Sequence, residues 1–423
     1  MAFNAEQLRP YLPAAKSTST VWWIGFSGGL DSTVLLHALV QLGLPVQLRA
    51  LHINHQISPH ADHWQEQCAD VCAHLSIPFH AEKVSVENSG KGIEDAARSA
   101  RYAVFEKYLT AEDLLFTAHH ANDQAETLLL RLMRGTGPRG LAAMAAQRVL
   151  GESVLVRPLL HFSRAELEAY AQRYQLTWVN DESNSDDDYD RNFLRNQVMP
   201  LLHERWPEFK RKWQQTAELC AQQELLLEDV AQEDLQRVSP LAERVGQSID
   251  LRVLLSLSAV RRQNLLRFWL RSLNYATPEQ LHWQQIEQQL FCGREDAQAR
   301  VAWANVALQR YRHRLYVLPA LLPTMELRYV ASSDNKKTRL KADLPELRIE
   351  FRRGGERCKP AGRAHSQTLK KLLQEYELEP WLRDSVPLVF SGGELVAVGD
   401  LWICAGFVAP QNEVGCELVW AAV

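Results

Sequence analysis

A chain of 423 residues is longer than one hydrophobic core usually supports, so two or three domains are expected. With 46% hydrophobic and 23% charged residues and a net charge of −4, it reads as globular and not as a uniformly basic nucleic-acid binder. No apolar run approaches the ~18 residues of a bilayer span, the first ten residues lack a signal peptide's basic and apolar parts, and seven scattered cysteines without a CxxC argue against disulfide or zinc frameworks.

The cytoplasm is therefore the expected location, and Cys68 and Cys72 read as two thiols on one helix. Through about residue 160, short β-branched or aromatic runs at 21–26, 46–53, 79–84, 114–118 and 153–158 alternate with helical patterns near 31–42, 61–75, 93–109 and 121–134. That alternation predicts an α/β domain: a doubly wound, Rossmann-like parallel sheet covered by helices on both faces. Ligands bind such sheets at the carboxyl ends of the strands. A helix over 164–174, a polar acidic loop over 181–190 and a further helix near Asn192 follow. From 205 to 292 strand signals vanish, and Leu/Gln/Glu-rich patterns predict a mainly helical domain. Strand-like runs return after Val301, and a polar basic linker leads to a small α+β domain with a helix near 366–377 and strands at 387–390 and 394–398. The expected domains are 1–204, 205–330 and 331–423. Charge is unevenly placed in the last of these. Residues 336–371 hold twelve Lys or Arg against four Asp or Glu, whereas 372–423 hold one Arg against eight acids. A polarised surface of this kind suits a phosphate-rich partner.

Phe26-Ser27-Gly28-Gly29-Leu30-Asp31-Ser32 follows an apolar strand and opens a helix. Two glycines let backbone approach a phosphate closely, the helix N-terminus favours an anion, and Ser27 and Ser32 add hydroxyl donors. Asp31 is no phosphate donor; it suits holding Mg²⁺ or orienting the loop. The competing reading is a turn with an Asp cap. Neither GxxxxGK[ST] nor a GxGxxG after a strand occurs. At the end of the fourth predicted strand stands His119-His120-Ala121-Asn122-Asp123-Gln124-Ala125-Glu126-Thr127. On a helix from Ala121, Asp123 and Glu126 share a face, with His119 at its mouth. Two carboxylates and an imidazole suit Mg²⁺ (Asp31 and Asp123 as ligands) and acid/base work on an amine; a capped helix is the alternative.

SGGxDS resembles the PP-loop of the N-type ATP pyrophosphatases, which implies ATP cleavage between the α- and β-phosphates and adenylation of a substrate oxygen. HHxNDQxET with Arg134-Gly135-Thr136-Gly137-Pro138-Arg139-Gly140-Leu141, Arg191-Asn192-Phe193-Leu194-Arg195, and Phe351-Arg352-Arg353-Gly354-Gly355-Glu356 with Lys370-Lys371 resemble the tRNA(Ile)-lysidine synthases over nearly the whole chain. The resemblance implies ATP and Mg²⁺, an isoleucine tRNA with a CAU anticodon, L-lysine, and a ligase that adenylates the wobble cytidine and then displaces AMP with lysine. It also implies tRNA binding by the middle and C-terminal domains. On this basis the catalytic candidates are Asp31, His119, Asp123, Glu126, Arg98 and Arg195. ATP is expected at Ser27, Gly28, Gly29, Leu30, Asp31, Ser32, His52 and Asn54, and tRNA at Arg134, Arg139, Arg352, Arg353, Lys370 and Lys371. Arg98 and Arg101 share a helical face suited to the α-phosphate or RNA, and Arg191 and Arg195 share one suited to a phosphate or the carboxylate of the lysine substrate. The acidic loop suits the cationic lysine, and Arg261, Arg262, Arg267 and Arg271 form a further stripe facing tRNA or solvent. The alternatives are another PP-loop tRNA-modifying enzyme and a nucleotide-sensing RNA-binding protein without turnover. Oligomeric state, a homodimer included, stays open.

Overall fold

The computed structural model describes residues 3–14, 20–85, 93–182, 186–294, 299–334, 337–411 and 413–423. Residues 183–185 of the acidic loop and Lys336 lie outside the described residues. The chain divides into two compact units, Met1–Leu226 and Leu227–Val423.

The first unit begins with β1 (Val21–Gly25), α1 (Leu30–Gln41), β2 (Gln47–Asn54), α2 (Ala61–His74), β3 (Phe79–Lys83) and α3 (Ile93–Tyr108). It continues with β4 (Leu114–Phe116), α4 (Ala121–Met133), α5 (Pro138–Leu141), β5 (Gln147–Leu150), β6 (Ser153–Val156) and α6 (Arg164–Arg173). The six strands form one sheet in the order β3-β2-β1-β4-β6-β5. All pair in parallel except β5, which returns antiparallel on β6 as an edge hairpin. Successive side chains of a strand point to opposite faces. Trp22 and Ile24 join the core beneath α1, α2 and α6, whereas Trp23, Leu51, Leu115 and Leu155 meet Val104 and Phe105 of α3. The sheet is therefore covered on both faces.

Helix α1 is buried along most of its length. Its N-cap, Gly29, supplies no capping side chain, a loss of only a few tenths of a kcal/mol against Ser, roughly. Val34, Leu35 and Leu36 are fully buried, each worth about 1.5–3 kcal/mol. Packing holds the helix, so its first N–H groups, which have no intrahelical partner, stay available to an anion.

A short α7 (Asp190–Phe193), a π turn over Leu194–Val198 and α8 (Met199–Arg205) lead to α9 (Phe209–Arg237). Leu194, Met199 and Phe209 share a core with Ala125 and Leu129 of α4, which anchors the segment carrying Arg191 and Arg195.

The second unit contains β7 (Leu241–Ala242), β8 (Gln247–Asp250), α10 (Leu251–Ser256), α11 (Ala259–Ser272), α12 (Gln280–Gln285), β9 (Arg300–Trp303), β10 (Val306–Tyr311) and β11 (Arg314–Pro319). These strands form a sheet in the order β7-β8-β11-β10-β9. The 205–292 stretch, expected without strands, thus carries two. They are two and four residues long, too short for a period-2 pattern to register. Next come β12 (Met325–Ser332), β13 (Leu340–Lys341), β14 (Arg348–Phe351), β15 (Arg357–Cys358), β16 (Gln367–Thr368), α13 (Leu369–Glu375), β17 (Pro387–Ser391), β18 (Glu394–Val398), β19 (Trp402–Ile403) and β20 (Gly415–Ala422). Part of the expected linker is sheet: β12 and β13 flank β20. Arg339 within it is 2% exposed, and its guanidinium donates to the carbonyls of Ser332, Pro410, Gln411 and Glu413. Tyr316 and Leu318 share one core with Leu369, Leu373, Leu388 and Trp420.

Candidate active site

A cavity of about 430 Å³ opens at the carboxyl ends of β1, β2 and β4. Ser27, Gly29, Asp31 and Ser32 form its floor, His52, Asn54 and Trp64 one side, and Arg101, Tyr102, Thr117, His119, Asp123 and Asp181 another. Gly28 has φ +82°, and an added Cβ would stand 2.6 Å from Cys68 Sγ. Both facts require glycine there. The loop is cross-braced: Ser27 and Ser32 hydroxyls lie 3.1 Å apart, Thr33 Oγ1 donates to the Gly29 carbonyl at 2.9 Å, and the Val179 N–H donates to the Gly28 carbonyl at 2.8 Å. Leu30 turns its side chain into the core, so it serves through its backbone.

Asp31 projects from the first turn of α1. One carboxylate oxygen, Oδ2, lies 3.5 Å from His120 Nε2 and 3.6 Å from Arg164 Nη1. The other, Oδ1, is buried and has no hydrogen-bond partner.

His120 is the N-cap of α4. Its Nδ1 accepts from the Asn122 N–H at 3.2 Å, and its own N–H donates to Asp123 Oδ2 at 3.0 Å. The Asn122 bond leaves the proton on Nε2, which faces Asp31 and Asp123 at 3.5 Å each. Burial opposes a charge on His120, but Asp123, Asp31 and Glu126 outweigh it and raise its pKa. Asp123 and Glu126 share a face of α4, as expected, and both are taken by arginines. Arg191 reaches Asp123 at 3.0 Å and Glu126 at 2.9 Å; Arg195 binds both oxygens of Glu126 at 2.8 and 2.9 Å. Burial works against the Asp123 charge, yet His120 and Arg191 hold its carboxyl well below the usual range. Asp123 Oδ1 meets two guanidiniums and Oδ2 meets His120.

His119 accepts or donates a hydrogen bond with Thr117 at 3.0 Å. Burial first, and then the field of Arg157, Arg191 and Arg98, bring its pKa down to about 3 despite Asp123, so the ring is neutral at neutral pH.

His52 and Asn54 both line the cavity, and both are tied to the scaffold. His52 Nδ1 bonds the Phe26 carbonyl at 2.9 Å, and burial lowers its pKa. Asn54 donates to Asp62 and Gln65 and accepts from the Gln56 N–H. On α3, Arg101 lines the cavity, whereas Arg98 is exposed with its guanidinium 5.2 Å over Tyr102. Arg134 and Arg139 are exposed at the end of α4 and on α5, with Arg139 3.7 Å from Glu224. In the second unit Arg352 pairs with Asp384, Arg353 with Glu350 and Lys371 with Glu375, and Lys370 is exposed. Within the arginine stripe, Arg261 is bidentate to the fully buried Asp234 and Arg262 faces Glu287, a structural use for both.

Two residues without an expected role, His120 and Arg164, join the site, and Arg191 joins it through partners that were not expected. His120 is visible in the sequence as a helix cap, but its reach to Asp31 is not. Arg164 opens α6 with no local sign of its contact to Asp31, and Arg191 reads as one of a pair without its carboxylates. Among the described residues no group of three or more His, Cys, Asp or Glu is arranged to hold a metal ion. No described helix is long and apolar enough to cross a membrane.

Residues 4–202 match the PP-loop domain family, 249–316 the TilS substrate binding domain and 347–420 the TilS substrate C-terminal domain. A tRNA(Ile)-lysidine synthase of Coxiella burnetii is 38% identical over 98% of this chain and 96% of its own length. One of Serratia proteamaculans is 40% identical over 99% of both. Among solved structures, the U34-tRNA thiolase NcsA of Methanococcus maripaludis superposes with a TM-score of 0.45 at 15% identity, covering 51% of this chain and 77% of its own. On the strength of the near full-length relatives and the three matched domains in order, the chain belongs to the tRNA(Ile)-lysidine synthase family.

Proposed function

We propose that this enzyme joins L-lysine to the wobble cytidine of an isoleucine tRNA with a CAU anticodon, in two steps within the cavity of the first unit. The carrying observation is the pairing of an anion cradle, Ser27 to Ser32, with a carboxylate whose Oδ1 is buried and unbonded beside it. In the first step cytidine O2 attacks the α-phosphorus of ATP and pyrophosphate leaves. The loop N–H groups, with Ser27 and Ser32, hold the departing phosphates. In the second step the lysine ε-amine attacks C2 of the adenylated base and AMP leaves. Neutral His119 lines the cavity and offers a ring nitrogen that accepts a hydrogen bond from the attacking amine. Burial keeps its basicity low, so it orients the amine, and the proton that the ammonium sheds passes to solvent.

Asp31 fits a Mg²⁺ ligand, because a hard oxygen buried without a partner is what the ion accepts. Asp123 does not fit, since its oxygens are engaged by Arg191, Arg195 and His120. Mg²⁺ typically takes one or two carboxylates together with substrate phosphates, and when bound it neutralises charge on the pyrophosphate leaving group. Asp123, Glu126, Arg191 and Arg195 are positioning residues in this reading. Asp181, on the cavity wall, attracts the cationic lysine. Arg134, Arg139, Arg352, Arg353, Lys370 and Lys371 give phosphate contacts to the tRNA, and the enzyme acts in the cytoplasm.

The test is incubation with ATP, labelled lysine and unmodified tRNA, followed by nucleoside analysis. Labelled lysine should appear in a cytidine derivative, with pyrophosphate formed only when tRNA is present and AMP only when lysine is present as well. ATP cleavage without lysine in the RNA would overturn the reading.

A further inference from the structure

We propose that Tyr102 with Arg98, Arg148 and Arg157 forms a second anion site, which takes a backbone phosphate of the RNA substrate at the rim of the nucleotide cavity. This rests on the reading of the chain as an RNA-modifying enzyme. Tyr102 stands on α3 and forms part of the cavity wall. Arg98, one turn earlier, places its guanidinium 5.2 Å over the ring, and Arg148 of the edge strand β5 places its own at 4.5 Å. Arg157, just past β6, bonds the Tyr102 side chain and donates to the Ala145 carbonyl at 2.7 Å. It is 4% exposed, and its Nε is buried without a partner.

Three guanidiniums thus converge on one tyrosine. Their described contacts are the ring, a carbonyl and one another's field, and none is a carboxylate. Arg191 and Arg195 are compensated by Asp123 and Glu126, and Arg244 by Asp400. The interior Arg339 instead donates to four carbonyls, whereas Arg157 donates to one and keeps an unbonded Nε. Burial and the repulsion of Arg148 and Arg98 both weaken Arg157's hold on its proton. Like charges crowded at a protein surface repel one another more strongly than the same charges in bulk water. An anion bound among them reverses the sign of that term.

The geometry favours RNA over ATP. The cradle for the ATP phosphates lies after β1, whereas β5 is the outer strand beyond β4 and β6. Arg98, Arg148 and Arg157 stand outside the cavity wall that Arg101 and Tyr102 form. A strand of RNA whose target base enters the cavity leaves its flanking phosphates at that rim. Guanidinium forks match phosphate oxygens.

The test uses the full-length protein, a hairpin RNA with a CAU loop, and the exposed Arg148. Arg148→Gln should weaken hairpin binding and lower the slope of log K against log[salt] by about 0.7–0.9. Arg148→Lys should restore the slope but not the full affinity, because the ammonium keeps the charge and loses the planar stack. ATP affinity should be unchanged in both. An unaltered slope and affinity in Arg148→Gln would overturn the site, and a loss of ATP affinity with RNA binding intact would assign the cluster to the nucleotide. A wild-type protein that neither binds the hairpin nor forms lysidine overturns the proposed function as well. A wild-type protein that does both beside an unaffected Arg148→Gln variant overturns only this site.

Discussion

Arg195 holds Glu126 by two parallel hydrogen bonds, Nε to Oε1 at 2.8 Å and Nη2 to Oε2 at 2.9 Å, and the carboxylate is 1% exposed. A carboxylate so engaged is a poor proton shuttle and a strong structural tie. Glu126→Gln strips a charge from beneath two guanidiniums, and breaking a buried pair costs about 3–5 kcal/mol. Urea unfolding should show a decrease of that order, with activity falling alongside it. A variant of wild-type stability whose rate fell by roughly 10²–10⁴ would restore Glu126 to acid/base work.

Asp31→Asn keeps the side-chain volume and removes the charge from the free oxygen. We expect adenylation to be abolished and the thermal midpoint to shift little, because the residue sits at the cavity floor and not in the core. Pyrophosphate release at the wild-type rate would remove Asp31 from the mechanism.

Gly28→Ala meets two obstacles: a positive φ, costing about 1–2 kcal/mol for an L-residue, and Cys68 Sγ at 2.6 Å from the new methyl. ATP affinity should fall. Cys68→Gly, combined with Gly28→Ala, should recover only the steric part. Complete recovery in the double variant would mean that the backbone conformation is not what matters.

His119 and His120 should give stability opposite pH slopes. His119 is held down to about 3 from an ordinary 6.5, so its contribution is present above 6.5 and is lost as pH falls from 6.5 toward 3. His120 is raised, so its contribution is complete below 6.5 and is lost as pH climbs through the raised value. His119→Asn should flatten the acid limb of unfolding free energy against pH. His120→Asn, which keeps an N-cap side chain, should flatten the limb above 6.5. Unchanged limbs in both variants would contradict the assigned environments.

For the second unit, Arg353→Glu with Lys370→Glu should weaken tRNA binding and lower the salt slope by about 0.7–0.9 for each phosphate no longer neutralised. Point changes are preferable to removing everything after residue 323, because Tyr316 and Leu318 would be stripped of the core they share with Leu373 and Trp420. An unaltered slope would make this face a solvated one.

Much of the first unit is legible because buried parallel strands are continuous apolar runs broken by glycine and polar turns. Val21–Gly25 and Leu114–Phe116 fall where those runs do. Strand β5 escapes such a reading because QRVL is short and three of its residues are exposed at the edge. A count of charges overstates the basic stretch: Arg339 is interior, and Lys337 is paired with Glu417. The acid face of α4 is legible from i,i+3 spacing, but its partners are not. Arg191 and Arg195 lie 65 and 69 residues from Glu126, and His120 to Asp31 is likewise a contact between separate elements. Local patterns carry no information about such closures, which arise when the core formed by Leu194 and Met199 docks on α4.

The bond from the Val179 N–H to the Gly28 carbonyl makes the phosphate cradle and the approach to the acidic loop one hydrogen-bonded piece. An amide in such a bond trades its hydrogen for solvent deuterium only when the bond opens. Val179 is therefore a built-in clock for the nucleotide loop, readable by mass in a peptide that contains no residue of the loop itself. Closure on a ligand becomes measurable on an unlabelled protein with an unlabelled ligand, and separately from turnover.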